Sequence, residues 1–254
     1  MLHDDRRRAG SFGEDPEAYD RERPSYPAEL VDELLSSGPR RVLDIGCGTG
    51  KAGSLLRARG CEVLGVEPDE RMAAVARGHG LDVELATFEQ WDPAGRLFDL
   101  LVCGQAWHWI DPVGGARAAA AALRSGGRLA LFGNRPRHDA ATRAALDEVY
   151  GRLAPQLCEY SATGEIPPSD PGALSAEAIA ADGRFDVPRS FTYRWTQEYP
   201  RARWLRLLTT HSNHRVLPDA QRAALLAAVG DVVDRLGGSI RLEYETVLSC
   251  WTRR

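Results

Sequence analysis

Several things are scarce or missing in this chain of 254 residues, and each absence excludes a class of protein. There is no CxxC pair, and the five cysteines are an odd number, so neither a zinc ribbon nor a disulfide framework is indicated. The opening MLHDDRRRAGSFGEDPEAYD lacks the apolar core of a signal peptide, so reduced thiols in a cytoplasmic protein are expected. No run approaches the roughly 20 apolar residues of a spanning helix, because even AAAAALRSGGRLALFG is broken by Arg124, Gly126 and Gly127. No block of five like charges occurs and the formal net charge is -4, which argues against nucleic acid and against an anionic membrane surface as partners. No internal repeat and no sustained heptad is visible.

What is present is an ordinary globular composition, 43% hydrophobic and 27% charged, on a chain long enough to bury a sizeable core. PAELVDELLSSG (27 to 38) opens on Pro27, repeats leucines and valine at helical spacing and stops at Gly38. RVLDI then reads as a strand, 51 to 59 as a helix, CEVLGVE as a strand and 69 to 78 as a helix begun by Asp69. The alternation continues through LDVELA (81 to 86), FDLLVCG (98 to 104), an Ala-rich helix from about 112 to 123, and GRLALFG (127 to 133). Five short apolar runs separated by helices predict parallel strands buried on both faces, hence a doubly wound α/β sheet.

Beyond 133 the pattern changes. A helical segment near 139 to 157 and the Pro/Gly/Ser stretch TGEIPPSDPGALS read as an insertion over the sheet. RSFTYRWTQEY and SIRLEYETVLSCW alternate with period two on either side of helical text across 201 to 236, which predicts an antiparallel addition at the sheet edge.

RVLDIGCGTG (41 to 50) ends a buried strand in a Gly-rich turn that leads into a helix, so a ligand can reach bare backbone and a helix N-terminus. Two ligands fit. Gly48, Gly50 and Gly53 spell GxGxxG with Glu67 19 residues on, the spacing of a dinucleotide site. Gly46, Gly48 and Gly50 preceded by Asp44 suit S-adenosylmethionine, whose ammonium group a carboxylate can help hold, whereas an acid has little use beside a pyrophosphate. Glu67 serves both readings, since a carboxylate at the end of the second strand accepts hydrogen bonds from a ribose diol. Tight-turn glycines and a loop-capping Asp44 are the bland alternatives.

VLDIGCGTG (42 to 50) resembles the nucleotide loop of class I S-adenosylmethionine-dependent methyltransferases. The likeness continues in VEPDERM, ATFEQW, FDLLVCGQAWHWIDP and LRSGGRLALF. FGEDPEAYDRERPSYP (12 to 27), THSNHRVLP and YETVL resemble a small-molecule branch that includes the trans-aconitate methyltransferase-like proteins. The resemblance implies a seven-stranded sheet in the order 3-2-1-4-5-7-6 with the last strand antiparallel. It also implies one methyltransferase domain over 1 to 254, with a cofactor-covering segment at 1 to 38, a cofactor-binding core at 39 to 133, and helical insertions at 134 to 185 and 198 to 238 as a substrate lid.

By the same resemblance, Asp44, Gly46, Gly48, Thr49, Gly50, Glu67, Pro68, Met72, Thr87, Phe88, Glu89, Gln105 and Trp107 bind the cofactor, and the product is S-adenosylhomocysteine. Tyr19 and Arg23 fold over it, Arg23 meeting the methionyl carboxylate. Tyr26, His108, Trp109, Asn134 and His211 face the acceptor, a small organic molecule methylated at a carboxylate or hydroxyl oxygen.

Methyl transfer needs a nucleophile held in line, and a base only if that nucleophile carries a proton. His108, in the loop after the fourth strand, is the expected general base or orienting group, against the plainer alternative that it and its flanking tryptophans pack. His211 and His214 are three apart without an accompanying acid or cysteine cluster, so no metal is expected. Cys47 fits the turn as a small side chain. A nicotinamide oxidoreductase and a S-adenosylmethionine-binding protein without transfer stay open as alternatives, and a monomer or homodimer is expected.

Overall fold

The computed structural model describes residues 10–160 and 171–254, the side chains of 158–160 and 171–175 excepted. The first nine residues of the expected cofactor-covering segment, and 163–170 of the Pro/Gly/Ser stretch, lie outside the described residues.

Five parallel strands are laid down first: β1 (Arg41–Ile45), β2 (Glu62–Glu67), β3 (Asp82–Leu85), β4 (Phe98–Gly104) and β5 (Leu123–Arg137). Two more, β6 (Arg189–Pro200) and β7 (Ser239–Thr252), complete a sheet of order β3-β2-β1-β4-β5-β7-β6. β7 runs antiparallel to both its neighbours, as the resemblance implied. The fifth strand is longer at both ends than the 127 to 133 expected, because β7 pairs with it out to Arg137, a polar tail without apolar alternation to announce it.

Ten helices flank the sheet among the described residues: α1 (Pro16–Glu22), α2 (Ala28–Leu35), α3 (Lys51–Arg57), α4 (Glu70–Gly78), α5 (Pro112–Ala122), α6 (Ala140–Leu153), α7 (Pro171–Asp182), α8 (Arg201–Thr209), α9 (Ser212–Arg215) and α10 (Asp219–Arg235). Their starts follow local chemistry. Asp15, Asp69, Asp111 and Asp139 each cap the following helix by accepting backbone N–H bonds, and Pro16 and Pro112 fill the first turn of α1 and α5. The helical text across 201 to 236 is three helices, interrupted at Thr210–His211 and again at Pro218.

The sheet buries both faces. Leu30, Leu34, Leu56, Ala73, Ala76, Val42 and Leu100 form one core under α2, α3 and α4. Leu43, Ile45, Leu101, Leu129, Ala119, Phe88 and Trp107 form the other, beneath α5. Each large side chain so buried contributes roughly 2 kcal/mol. A third core joins the two helical insertions: Leu146, Val149 and Tyr150 of α6 pack with Trp204, Leu207, Val229 and Val233 of α8 and α10, and with Tyr199 and Tyr244 of the edge strands. The carboxyl ends of β1, β2, β4 and β5 therefore open toward a wall made by these helices.

The described cysteines Cys47, Cys61, Cys103 and Cys250 are all free and buried. No helix among the described residues is long and apolar enough to cross a membrane.

Candidate active site

The turn after β1 puts Gly46, Gly48 and Gly50 at φ +59°, +56° and +84°, a region closed to most side chains. At Gly46 a Cβ would also lie 2.7 Å from the Ala106 Cβ, so the turn packs directly against the loop after β4. The turn is tied to β2 by Cys47 N to Val66 O (3.2 Å) and Gly48 N to Glu67 Oε2 (2.9 Å). Glu67 Oε1 takes the N–H of Asp69 (3.0 Å), so each carboxylate oxygen keeps a free lone pair for a ribose hydroxyl.

Asp44 is 1% exposed, and its Oδ2 accepts the N–H of Gly53 at 2.8 Å. A Cβ at Gly53 would stand 2.9 Å from that oxygen, so this glycine lets the carboxylate rest on the first turn of α3. Part of Asp44's work is thus a helix cap. Burial pushes its carboxyl up to about 7, against the Gly53 bond and with the negative Glu67 adding to it; burial likewise raises Glu67 to about 6. Two carboxylates held in this way, with no ion pair to a cation among the described residues, favour a positively charged ligand group.

The remaining expected cofactor residues fall around this turn with different degrees of freedom. Met72 is buried, its Cε 3.5 Å from where a Gly48 Cβ would be, while Pro68 is exposed and Thr87 half-buried. The Phe88 ring is committed to the core between Trp91 and Trp107 (centroids 6.3 and 6.2 Å). Glu89 Oε1 accepts the N–H of Asp111 at 2.8 Å and so fixes the start of α5. Thr49 Oγ1, buried in the turn, has no hydrogen-bond partner among the described residues, a vacancy that costs about 1–3 kcal/mol unless a ligand or water fills it.

Gln105 has φ +61°, rare for a residue with a side chain, held by its N–H to Phe132 O (2.9 Å) and its Nε2 to Asn134 O (3.1 Å). Trp107 is buried; His108 and Trp109 are half-buried with ring centroids 4.9 Å apart. Asn134 uses both ends of its amide on the protein, Nδ2 to Ser25 O (2.9 Å) and Oδ1 from Thr246 Oγ1 (2.7 Å), and thereby holds the segment before Tyr26 against the sheet.

The N-terminal segment spans the site. Phe12 bridges Tyr19 and Trp109 edge-on, 5.8 Å from each. Asp20 meets His79 Nε2 at 2.9 Å and Lys51 Nζ at 3.7 Å on the turn side. Buried Glu22 meets Arg206 Nε at 2.7 Å on the opposite wall, and although burial pushes its carboxyl up, the bonds from Arg206 and Arg21 bring it below the usual range. Arg23 stacks over Tyr19 at 5.2 Å and donates to Thr210. The Tyr26 hydroxyl would collide with a Cβ at Gly104 (2.5 Å), and burial pushes that phenol well up.

His211 and His214 do not act as a pair. His214 is buried between the Tyr150 hydroxyl (2.7 Å from Nε2) and Asn213 Oδ1 (2.9 Å from Nδ1), and burial and nearby Arg23 lower it to about 4. His211 makes only an edge contact with it, 5.8 Å between centroids. No group of three or more metal-ligating side chains occurs among the described residues. Thr210, Tyr199, Tyr244, Glu22 and Lys51 were not anticipated as site residues, although Glu22, Thr210 and Tyr244 stand in the segments 12 to 27, THSNHRVLP and YETVL; each gains its place through tertiary contact.

A family model described as a methyltransferase domain matches residues 19–163, more than half of the chain. The chain belongs to this methyltransferase family. An uncharacterized methyltransferase of Mycobacterium tuberculosis is 40% identical over 144 residues, 56% of this chain and 59% of that protein, so this chain spans under two thirds of the relative's length. A ubiquinone biosynthesis O-methyltransferase of Marinobacter nauticus is 34% identical over 39% of this chain and 46% of its own. Among solved structures, a methyltransferase from Anaeromyxobacter dehalogenans described as type II superposes with a TM-score of 0.65 at 22% identity, covering 91% of this methyltransferase and 97% of that chain. The YcgJ protein of Bacillus subtilis gives 0.55 at 16% identity over 90% and 99%. Both share the fold.

The donor in this family is S-adenosylmethionine, and the methyltransferase's residues fit it. Bare glycines let it approach the main chain, the buried Asp44 favours its ammonium end, Glu67 has acceptor capacity for its ribose, and Thr49 Oγ1 is a polar atom awaiting a partner. The nicotinamide alternative asks for a further parallel unit where this sheet carries antiparallel β7.

Proposed function

We propose that this methyltransferase moves a methyl group from S-adenosylmethionine to a small organic acceptor, at a carboxylate or hydroxyl oxygen, and leaves S-adenosylhomocysteine. The observation that carries the reading is the pair of buried carboxylates, Asp44 and Glu67, raised to about 7 and 6 around a glycine turn at the carboxyl edge of the sheet. A cationic ligand relieves that charge and a pyrophosphate worsens it.

When bound, S-adenosylmethionine supplies a methyl carbon already activated by its sulfonium. The chain's own work is then placement and exclusion of water. Asp44 and the Gly46–Gly48–Gly50 turn with Thr49 hold the amino acid end, Glu67 and Pro68 the ribose, and Met72, Thr87, Phe88 and Glu89 the adenine side. Gln105, Trp107 and Tyr19 bound the sulfonium region, where an aromatic face attracts a cation. His108 and Trp109 orient the acceptor, with Tyr26, Asn134 and His211 on its far side and α1 closing above.

The segment 12 to 27 and the stretches THSNHRVLP and YETVL support a place among small-molecule methyltransferases of the trans-aconitate type, and the ubiquinone O-methyltransferase relative supports an oxygen target. Nothing in charge or patterning calls for nucleic acid or membrane, which supports a freely diffusing acceptor, and a monomer or homodimer is expected.

Calorimetric titration with S-adenosylmethionine, S-adenosylhomocysteine and NADH, followed by incubation with methyl-labelled donor and cell extract, tests this. Binding of the first two and a labelled small product by mass are expected. Failure of both sulfur ligands to bind would overturn it.

A further inference from the structure

β6 is the outermost strand of the sheet, yet a row of hydrogen bonds links it to the N-terminal segment and reaches the loop after β4. The pairing of β5 with β7 sets Asn134 opposite Thr246, and the pairing of β7 with β6 sets Thr246 and Tyr244 opposite Tyr193 and Trp195. Trp195 Nε1 donates to Thr246 Oγ1 at 2.8 Å, Thr246 Oγ1 donates to Asn134 Oδ1 at 2.7 Å, and Asn134 Nδ2 donates to Ser25 O at 2.9 Å. The direction of the row is forced. An indole N–H can only donate and a main-chain carbonyl can only accept, so the Thr246 hydroxyl spends its proton on Asn134 and the amide nitrogen of Asn134 faces Ser25. Asn134 and Thr246 are both buried.

The row ends on two residues at the carboxyl edge of the sheet. Ser25 precedes Tyr26, whose ring meets Phe132 edge-on at 4.8 Å and whose hydroxyl lies over the bare Gly104. Gln105 donates from Nε2 to Asn134 O at 3.1 Å, and its Oε1 rests 2.9 Å from where a Gly133 Cβ would stand. Its φ of +61° is costly for a residue with a side chain and persists because these contacts hold it. Asn134 therefore grips the N-terminal segment with its side chain and the strained Gln105 with its main chain. Since the residue is buried and both ends of its amide are engaged, any effect on an acceptor passes through these two neighbours.

We propose that Asn134, backed by Thr246 and Trp195, is a positioning residue for methyl transfer: it sets Tyr26 and Gln105 around the transferring methyl and serves the acceptor through them, not by its own contact. The proposal rests on the methyl-transfer reading. Placement is most of what the chain contributes to an in-line displacement, and a shift of about 1 Å in the groups that hold the reactants can cost on the order of 100-fold in rate. Without the Thr246 hydroxyl, Asn134 Oδ1 is buried with its donor gone, and the amide is free to turn away from Ser25. Asn134→Asp keeps the bond from Thr246 but sets a carboxylate oxygen against Ser25 O, two acceptors that repel. The Gly46–Gly48–Gly50 turn, Asp44 and Glu67 lie outside this row, so donor affinity is largely spared.

The test uses the full chain, with S-adenosylhomocysteine as the binding probe and methyl-labelled donor plus the small-molecule fraction of cell extract for the rate. Thr246→Val is expected to lower the labelling rate more than about 10-fold and Asn134→Asp about 100-fold, while S-adenosylhomocysteine affinity stays within about threefold of native. Thr246→Ser, which keeps the hydroxyl, restores the rate. In chain carrying isotope-labelled tryptophan, the Trp195 indole N–H signal, assigned with Trp195→Phe, shifts in Thr246→Val and in Asn134→Asp, because the row responds as one unit. Three results overturn the proposal: variants that keep the native rate, equal losses in Thr246→Ser and Thr246→Val, or a rate that falls only in step with donor affinity and thermal stability. If the native chain does not bind S-adenosylhomocysteine, the methyl-transfer reading fails and the proposal falls with it, an outcome read separately from the Thr246 comparison.

Discussion

The two sides of the site carry opposite and separately uncompensated charge. Around the β1 turn, Asp44 and Glu67 are carboxylates pushed up by burial with no ion pair to a cation among the described residues. Across the crevice, Arg23 is a guanidinium with no carboxylate among the described residues, and His211 and His214 are pushed down. Each side is built to receive a different ligand end: positive against the turn, negative against the helical wall. The N-terminal segment fastens both, Asp20 to His79 and Lys51 on one side, Glu22 and Arg23 to Arg206 and Thr210 on the other.

The largest effect is expected at the turn itself. Gly46→Val forces a branched side chain into φ +59° and against Ala106, so S-adenosylhomocysteine affinity should fall more than about 100-fold with a clear loss of thermal stability, read by calorimetry and thermal unfolding. Glu67→Gln sets an amide NH2 against the N–H of Gly48 or Asp69 and should cost about 1–3 kcal/mol of cofactor binding, roughly 5- to 150-fold, by the same titration.

Asp44 makes donor binding depend on pH. A carboxyl near 7 in the free protein must ionise to meet an ammonium, so donor affinity should rise about tenfold between pH 6 and 8, and Asp44→Asn should flatten that rise. The stability of the free protein runs the other way. Folded Asp44 and Glu67 hold protons that the unfolded chain loses near pH 4, so their contribution is fully present below about 4 and is lost as pH rises through about 6 to 7. Thermal unfolding from pH 4 to 8 checks the sign. The smallest effect belongs to an ion pair outside both sides: Glu84→Gln, which loosens the partly exposed pair with Arg96, should change stability by less than about 1 kcal/mol and leave cofactor affinity unchanged.

How far the sequence could be read follows the same division. The turn side was legible because its determinants are contiguous: a buried strand, three glycines at φ above zero and a capped helix within 41 to 60, with Glu67 closing the next strand. Even there Gly53 was read only as the third glycine of a GxGxxG pattern, whereas its N–H also holds Asp44. The acceptor side was much less legible. Arg23 and Thr210 are 187 positions apart, and Asn134 and Thr246 112, so no local pattern announces either contact. His211 and His214 share a helical spacing, yet a break at Thr210 and the Tyr150 hydroxyl send them to different tasks. The left-handed Gln105 left no sign either, since a glutamine gives no hint of φ +61°.

On this reading an uncompensated carboxylate at the glycine turn receives the cationic end of S-adenosylmethionine. Calorimetry of S-adenosylhomocysteine binding at pH 6.5, repeated in buffers of different ionisation enthalpy, counts the protons exchanged. Release of about three quarters of a proton, the share a carboxyl near 7 still holds at pH 6.5, abolished in Asp44→Asn, is the predicted result; tight binding with no proton release in the native protein would contradict it.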